Sequence, residues 1–336
     1  MRIRSLVGAV GLSLSIAGVA LAAGQAPERV DPFDQVKRMQ RGVNIIGYDP
    51  IWKNFSKARF KEKHFKLIHD AGFQTVRINL HALGHMGAAN QLDPEWMTTL
   101  DWAVKNALAN GLMVILDLHN FTDVAKAPER YRAKIMAFWR QASAHFKDAP
   151  SSVVFEVLNE PNGKLTPELW NVYLHEALAI IRETNPTRTV IAGPPFWNGI
   201  RHLQELQLPK DDRNLIVTVH YYEPMTFTHQ SAPWNKETAH LSGVHWGTDA
   251  EKEKVGKDFA MVQEWSKAEN RPIFLGEFGA YDKADNESRA RYLSQVARTA
   301  ESLGWAWAYW QFDADFILYD ITKDEWTTPL LKALVP

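Results

Sequence analysis

The chain has no cysteine among its 336 residues, so neither a disulfide framework nor thiolate chemistry is open to it. Its stability must come from a packed core, for which 46% hydrophobic residues is ample. Neither sign of charge is in surplus: 38 Lys and Arg face 39 Asp and Glu, a formal net charge of −1. Without a basic block, the electrostatic footprint of nucleic-acid binding is missing, and no such partner is expected. No G-x-G-x-x-G turn and no P-loop occurs, which removes the common phosphate cradles of nucleotide enzymes. The absence of G-x-S-x-G argues in the same way against a serine esterase. No cofactor is expected.

Long hydrophobic runs are missing too, apart from the N-terminus. A short basic start, MRIR, precedes an apolar run from Leu6 to Val19 and small residues at Ala20 and Ala22. No charged stop-transfer pattern follows, so residues 1–22 read as a secretory signal peptide and 23–336 as the mature chain. The expectation is a secreted or periplasmic protein with no membrane association after cleavage, and nothing in the sequence argues against a monomer.

Two stretches stand out from the rest. Val153 to Pro161 reads VVFEVLNEP: a β-branched and aromatic strand that turns polar at Asn159 and Glu160 before a proline. That proline stops the strand and restricts Glu160 toward extended backbone. Pro272 to Tyr281 reads PIFLGEFGAY, an apolar strand and a glycine leading to Glu277. A carboxylic acid at the lip of a buried strand is costly for stability, because its charge loses water. It suits a general acid, since apolar surroundings keep a carboxyl protonated near neutral pH. Two such glutamates suggest the paired carboxylates of glycoside hydrolysis.

Strand and helix patterns alternate along the whole chain. Strands are expected at 41–48, 75–80, 113–120, 153–161, 189–194, 214–224, 272–278 and 305–312. Helices are expected between them, including 58–70, 129–145, 167–183, 249–268 and 286–303. Eight strands, each followed by a helix, match an α/β fold of the (β/α)8 TIM-barrel type in a single domain. A doubly wound sheet would need the nucleotide turn that is absent.

In such a barrel the chemistry lies at the C-terminal ends of the strands. Those ends carry Arg77, His119, Asn159 and Glu160, His220 and Tyr222, Glu277, and Trp310. The motifs VRI, DLHN, LNEP, HYYEP, GEFG and WQF follow one another in the order of glycoside hydrolase family 5, the cellulase-type family of clan A. The chain resembles that family over essentially all of its mature length. The resemblance implies a retaining β-glycosidase acting on a β-linked polysaccharide or oligosaccharide, without a metal. It implies Glu277 as nucleophile and Glu160 as acid/base, with carboxyl groups roughly 5–5.5 Å apart. It assigns Arg77 and Tyr222 to holding Glu277 charged, and Asn159 to the sugar 2-hydroxyl. His119 and His220 would orient substrate hydroxyls and carboxylates, and Trp310 would floor the subsite on the non-reducing side of the cut.

Substrate choice is less legible. Endo-β-1,4-glucanase activity is the leading expectation; a β-mannanase, a mixed-linkage or β-1,3-glucanase and an exo-acting β-glucosidase would use the same residues. A non-catalytic sugar-binding barrel would tolerate loss of either glutamate, and this chain keeps both. The 13 Trp, 16 Phe and 9 Tyr exceed ordinary core needs and suit sugar stacking. The Met225–Gly247 stretch could wall the cleft or be a plain insertion. His81 and His85, four apart, lack a matched carboxylate for a metal, and Glu156 reads as a buried structural acid.

Overall fold

Each strand pairs in parallel with the next, and the eighth returns to the first, closing a barrel in the computed structural model, which describes residues 29–336. The strands are β1 (Arg41–Ile45), β2 (Thr75–Leu80), β3 (Met113–Leu118), β4 (Val153–Glu156), β5 (Val190–Ala192), β6 (Leu215–Tyr221), β7 (Ile273–Phe278) and β8 (Ala306–Tyr309). The fold is a single-domain (β/α)8 barrel. The expected signal peptide lies outside the described residues. Among the described residues no helix is long and apolar enough to cross a membrane.

Local chemistry sets where the helices begin. Asp93, Thr166 and Asp285 each accept a hydrogen bond from a first-turn N–H, and Thr248 forms a capping box with Glu251. Proline opens the helices Pro94–Ala109, Pro128–His145 and Pro167–Thr184, where its missing N–H costs nothing. The helix expected from Ala58 starts only at Glu62. The Asp49 carboxylate has taken the backbone N–H groups of Arg59 and Phe60, at 3.1 and 2.7 Å, and holds that segment non-helical.

Alternation along the strands sorts side chains into two cores. Val76, Ile78, Val114, Leu116, Val217 and Leu275 point outward against the helices. Met113, Ile115, Val154, Ile191, Ile216 and Phe274 fill the barrel interior. A helix α1 (Pro32–Met39), not expected from the sequence, closes the bottom by adding Val36 and Met39 to that interior cluster. Asp31 followed by Pro32 was its start signal.

Many tryptophans serve packing. Trp96, Trp139, Trp170 and Trp307 are among the largest fully buried side chains. The indoles of Trp139 and Trp170 donate to the carbonyls of Val157 and Gly193, at 2.9 and 3.0 Å, and so pin the loops beyond β4 and β5. Trp197 and Trp234, by contrast, are each about half exposed.

Candidate active site

Along the barrel axis the interior changes from apolar to polar. One residue pair further up β2 and β3, the inward positions hold Arg77, Asn79 and Asp117, joined by Asn44, Glu156 and Thr218, all fully buried. Arg77 is the hub. Its guanidinium grips Glu156 through two bonds of 2.7 and 2.8 Å and reaches Asp117 at 3.0 Å and Glu277 at 2.7 Å. It also donates to Asn44 and Asn159, both at 2.8 Å. A planar fork with five donors suits such a cluster, and a lysine would not. Burial alone would lower the Arg77 pKa, but Asp117, Glu156 and Glu277 together hold it well above its ordinary value. Glu156, expected as a structural acid, is here the bidentate partner of that cation.

Glu277 faces inward because of a register shift. Phe274 points into the barrel and Leu275 outward, so strict alternation would send Glu277 toward the helices. The pairing of β6 with β7 slips between Val219 and His220, so that His220 stands opposite Glu277 and Gly276 is passed over. This bulge re-aims the carboxylate. Gly276 has to be glycine, since a Cβ there would collide with the Thr218 hydroxyl and crowd the His220 ring.

Glu160 reaches the same spot differently. β4 ends at Glu156, four residues earlier than the carboxyl itself, although Asn159 still donates its N–H to Leu118. Glu160 takes a left-handed backbone at φ 43, contrary to the extended conformation expected before a proline. The turn swings its carboxyl over the barrel mouth, where Oε1 sits 2.8 Å from His220 Nδ1. The same ring nitrogen lies 3.6 Å from Glu277 Oε2. One carboxylate oxygen from each glutamate and a ring nitrogen of His220 all fall within 4.8 Å of one another.

The two carboxyls differ in their support. Glu277 receives Arg77 and the Tyr222 hydroxyl, the latter at 3.0 Å. Burial pushes it up to about 7, against the lowering influence of His220 and Arg77. The Glu160 carboxyl is bonded to His220 alone among the described residues, and burial pushes it up to about 8. The arrangement can therefore hold one carboxylate ionised beside a carboxylic acid. Glu160, His220 and Glu277 are the His and acid group among the described residues that is close enough to share an ion. The oxygens of Glu277 are already committed to Arg77 and Tyr222.

The remaining expected residues divide over the mouth. His119 binds Asp117 at 2.6 Å and stacks nearly parallel on Trp310 at 5.3 Å. Burial holds it neutral, well below its ordinary pKa. Tyr48, exposed, packs edge-on to Trp310, and His81 packs against both Tyr48 and His119. His85 instead stacks on Trp96, so the two histidines do not form a pair. The buried Asn159 amide nitrogen has no hydrogen-bond partner among the described residues. The Met225–Gly247 stretch is a wall in part. Thr228 binds the Tyr222 carbonyl at 2.6 Å, and His229 packs against the Tyr222 ring and Trp234. Its far end is structural, with Trp246 buried against Tyr292.

Sequence reasoning passed over Asn44, Asn79, Asp117 and Asn198. The first three showed a usable signal, polar residues on the inward parity of otherwise apolar strands. Asn198 did not, because it lies in an irregular turn. Phe196, Trp197 and Asn198 are all left-handed, at φ 55, 60 and 53. Such backbone costs roughly 1–2 kcal/mol per residue without glycine. The Trp197 N–H donates to the Pro161 carbonyl at 3.2 Å, which ties this turn to the loop bearing Glu160.

The family model described as Cellulase (glycosyl hydrolase family 5) matches residues 36–315. Endoglucanase H of Acetivibrio thermocellus is 31% identical over 92% of this chain and 34% of its own length. Endoglucanase 3 of Fibrobacter succinogenes is 25% identical over 86% of this chain and 51% of its own. The chain thus spans a third to a half of these relatives. Thermotoga maritima Cel5A, solved with cellobiose and with mannotriose, superposes with TM-scores of 0.86 and 0.87 at 38% identity. It covers 91% of this chain and 100% of that one.

Proposed function

The chain belongs to glycosyl hydrolase family 5, and on that premise we propose that it is a secreted, retaining endo-β-1,4-glucanase that cuts β-glucan by double displacement. The observation that carries the mechanism is the Glu160–His220–Glu277 cluster within 4.8 Å. Oxygens this near one another favour the retaining geometry, whose carboxyl groups stand about 5–5.5 Å apart, over the inverting one, at about 6.5–9.5 Å with a water between them.

Glu277, ionised beside Arg77 and Tyr222, attacks the anomeric carbon while Glu160 gives its proton to the departing glycosidic oxygen. Glu160, now a carboxylate, takes a proton from the water that hydrolyses the glycosyl-enzyme. Asn159, whose amide nitrogen has no partner among the described residues, donates to the sugar 2-hydroxyl. Trp310 and Tyr48 follow β8 and β1, and the half-exposed Trp197 follows β5, the strand opposite β1 in the closed barrel. Aromatic surfaces on both sides of the carboxylates support an endo mode, in which sugars bind on each side of the cut bond.

A β-mannanase is the second reading, favoured by the mannotriose complex of Thermotoga maritima Cel5A. Digestion of carboxymethyl-cellulose, barley β-glucan and mannan, followed by viscosity and product size, separates the two. A rapid viscosity drop on the cellulose derivative supports the glucanase. Cleavage of mannan alone moves the substrate, and no cleavage of any of the three refutes the reading.

The same roles set the pH dependence. Activity needs Glu277 ionised and Glu160 protonated, so kcat/KM should rise through about 7 and fall through about 8. Both limbs are macroscopic values of the coupled pair. Tyr222→Phe removes a donor that stabilises the Glu277 charge, so the acid limb should move up by about one pH unit. An acid limb that stays in place would remove Tyr222 from this role.

A further inference from the structure

The left-handed turn after β5 presses one side chain inward. Asn198 is fully buried, and Gly193 must lack a Cβ because one would strike the Asn198 amide. Gly199 forms a bridge to His220, which fixes the turn against β6. The Asn198 Nδ2 lies 3.2 Å from His220 Nε2, and the opposite ring nitrogen faces both glutamates at 2.8 and 3.6 Å.

A neutral imidazole has one donor and one acceptor nitrogen, and the neighbours of each decide which is which. Two carboxyl oxygens in front of Nδ1 call for a proton there. Nε2 is then a bare acceptor, and the group that faces it is an amide able to donate. Both ends of the ring agree. Asn198 Oδ1 is left without a partner among the described residues, so the amide is held for its nitrogen.

We propose that Asn198 is a positioning residue that locks His220 in the Nδ1–H tautomer and thereby decides which oxygen of Glu160 carries the transferable proton. The inference rests on Glu160 being the acid of the proposed reaction. With Nδ1–H donating to Oε1, a protonated Glu160 must carry its proton on Oε2, the oxygen not engaged by the ring. That proton leaves for the glycosidic oxygen and is restored from the hydrolytic water. In the other tautomer Nδ1 is a lone pair, and it would draw the proton onto Oε1 and away from the cleft.

The groups facing the ring are Glu160 from the loop after β4, Glu277 from β7, Arg77 from β2, Asp117 and His119 from the β3 side, and Glu156 from β4. Burial and the Arg77 charge oppose protonation of the ring, while Glu277, Glu156 and Asp117 favour it, and the net effect is to keep it neutral. A donor at Nε2 adds to that outcome, because an imidazolium needs a proton at both nitrogens.

The test is 15N NMR of the full chain labelled at histidine, with the His220 signals identified by their loss in His220→Asn. The wild type should show a protonated Nδ1 and an unprotonated Nε2. Asn198→Ala should show the other tautomer or exchange between the two. In that variant kcat should fall about tenfold at unchanged KM. Its basic limb should move to higher pH, since protonated Glu160 loses a competing donor and gains an acceptor. A wild-type ring protonated at Nε2 overturns the proposal, as does an Asn198→Ala variant with the wild-type tautomer and pH profile. The tautomer is read without substrate, so its outcome is separate from any failure of Glu160 as the acid.

Discussion

Glu277→Ala should lower hydrolysis on the order of 10^4-fold or more, and added azide should restore turnover with release of the α-configured glycosyl azide. The removed carboxylate leaves space below the anomeric carbon. Azide then attacks from the face that Glu277 occupied, while Glu160 still protonates the leaving oxygen. A single displacement inverts the centre. Glu160→Ala should behave differently. On polysaccharide it should lose about 10^2–10^4-fold, the ordinary worth of a general acid. On an aryl glycoside with a good leaving group, formation of the glycosyl-enzyme needs little proton donation and should persist. Azide would then intercept that intermediate in a second displacement and yield the β-azide. Opposite anomers from the two variants, read by proton NMR, would establish both roles at once. The same anomer from both, or full activity in either, would refute the assignment.

Arg77→Met should destabilise the fold by about 3–5 kcal/mol as well as abolish activity. One fully buried guanidinium neutralises Asp117, Glu156 and Glu277, and no other Arg or Lys forms an ion pair with these three among the described residues. Burial already raises the Asp117 and Glu156 pKa values, with Arg77 as the largest opposing influence. Removing the cation leaves them to take up protons or to force water into the barrel. Urea unfolding of wild type and variant at neutral pH measures the loss. A midpoint within error of wild type would show that the carboxyls do not depend on Arg77. A fall confined to activity would limit its role to Glu277.

The eight-strand alternation and both glutamates were legible because their signals are local. Turn-forming residues, N-caps and apolar runs are read within a few positions, and Glu160 and Glu277 announce themselves by standing where apolar strands end. Strand ends were less legible. β4 stops at Glu156 while its ladder bonding runs on to Asn159. β8 covers Ala306–Tyr309 rather than the longer span expected, because the chain bends at Trp310 and Phe312 then donates its N–H to the Asn44 carbonyl of β1. The plug helix α1 had its cap and proline in plain view, but what made it matter was the open barrel bottom, which only the closed sheet creates.

By itself the sequence determined the order of strands and helices, the inward parity of Arg77, Asp117 and Glu156, and the two acids at strand ends. These follow from periodicity and from residues acting on their immediate neighbours. The tertiary structure decided how those acids meet. A register slip at Gly276 turns Glu277 into the barrel, a left-handed turn swings Glu160 over it, and a strained loop brings Asn198 behind His220. Each depends on contacts between residues tens of positions apart, whose geometry exists only once the barrel has closed.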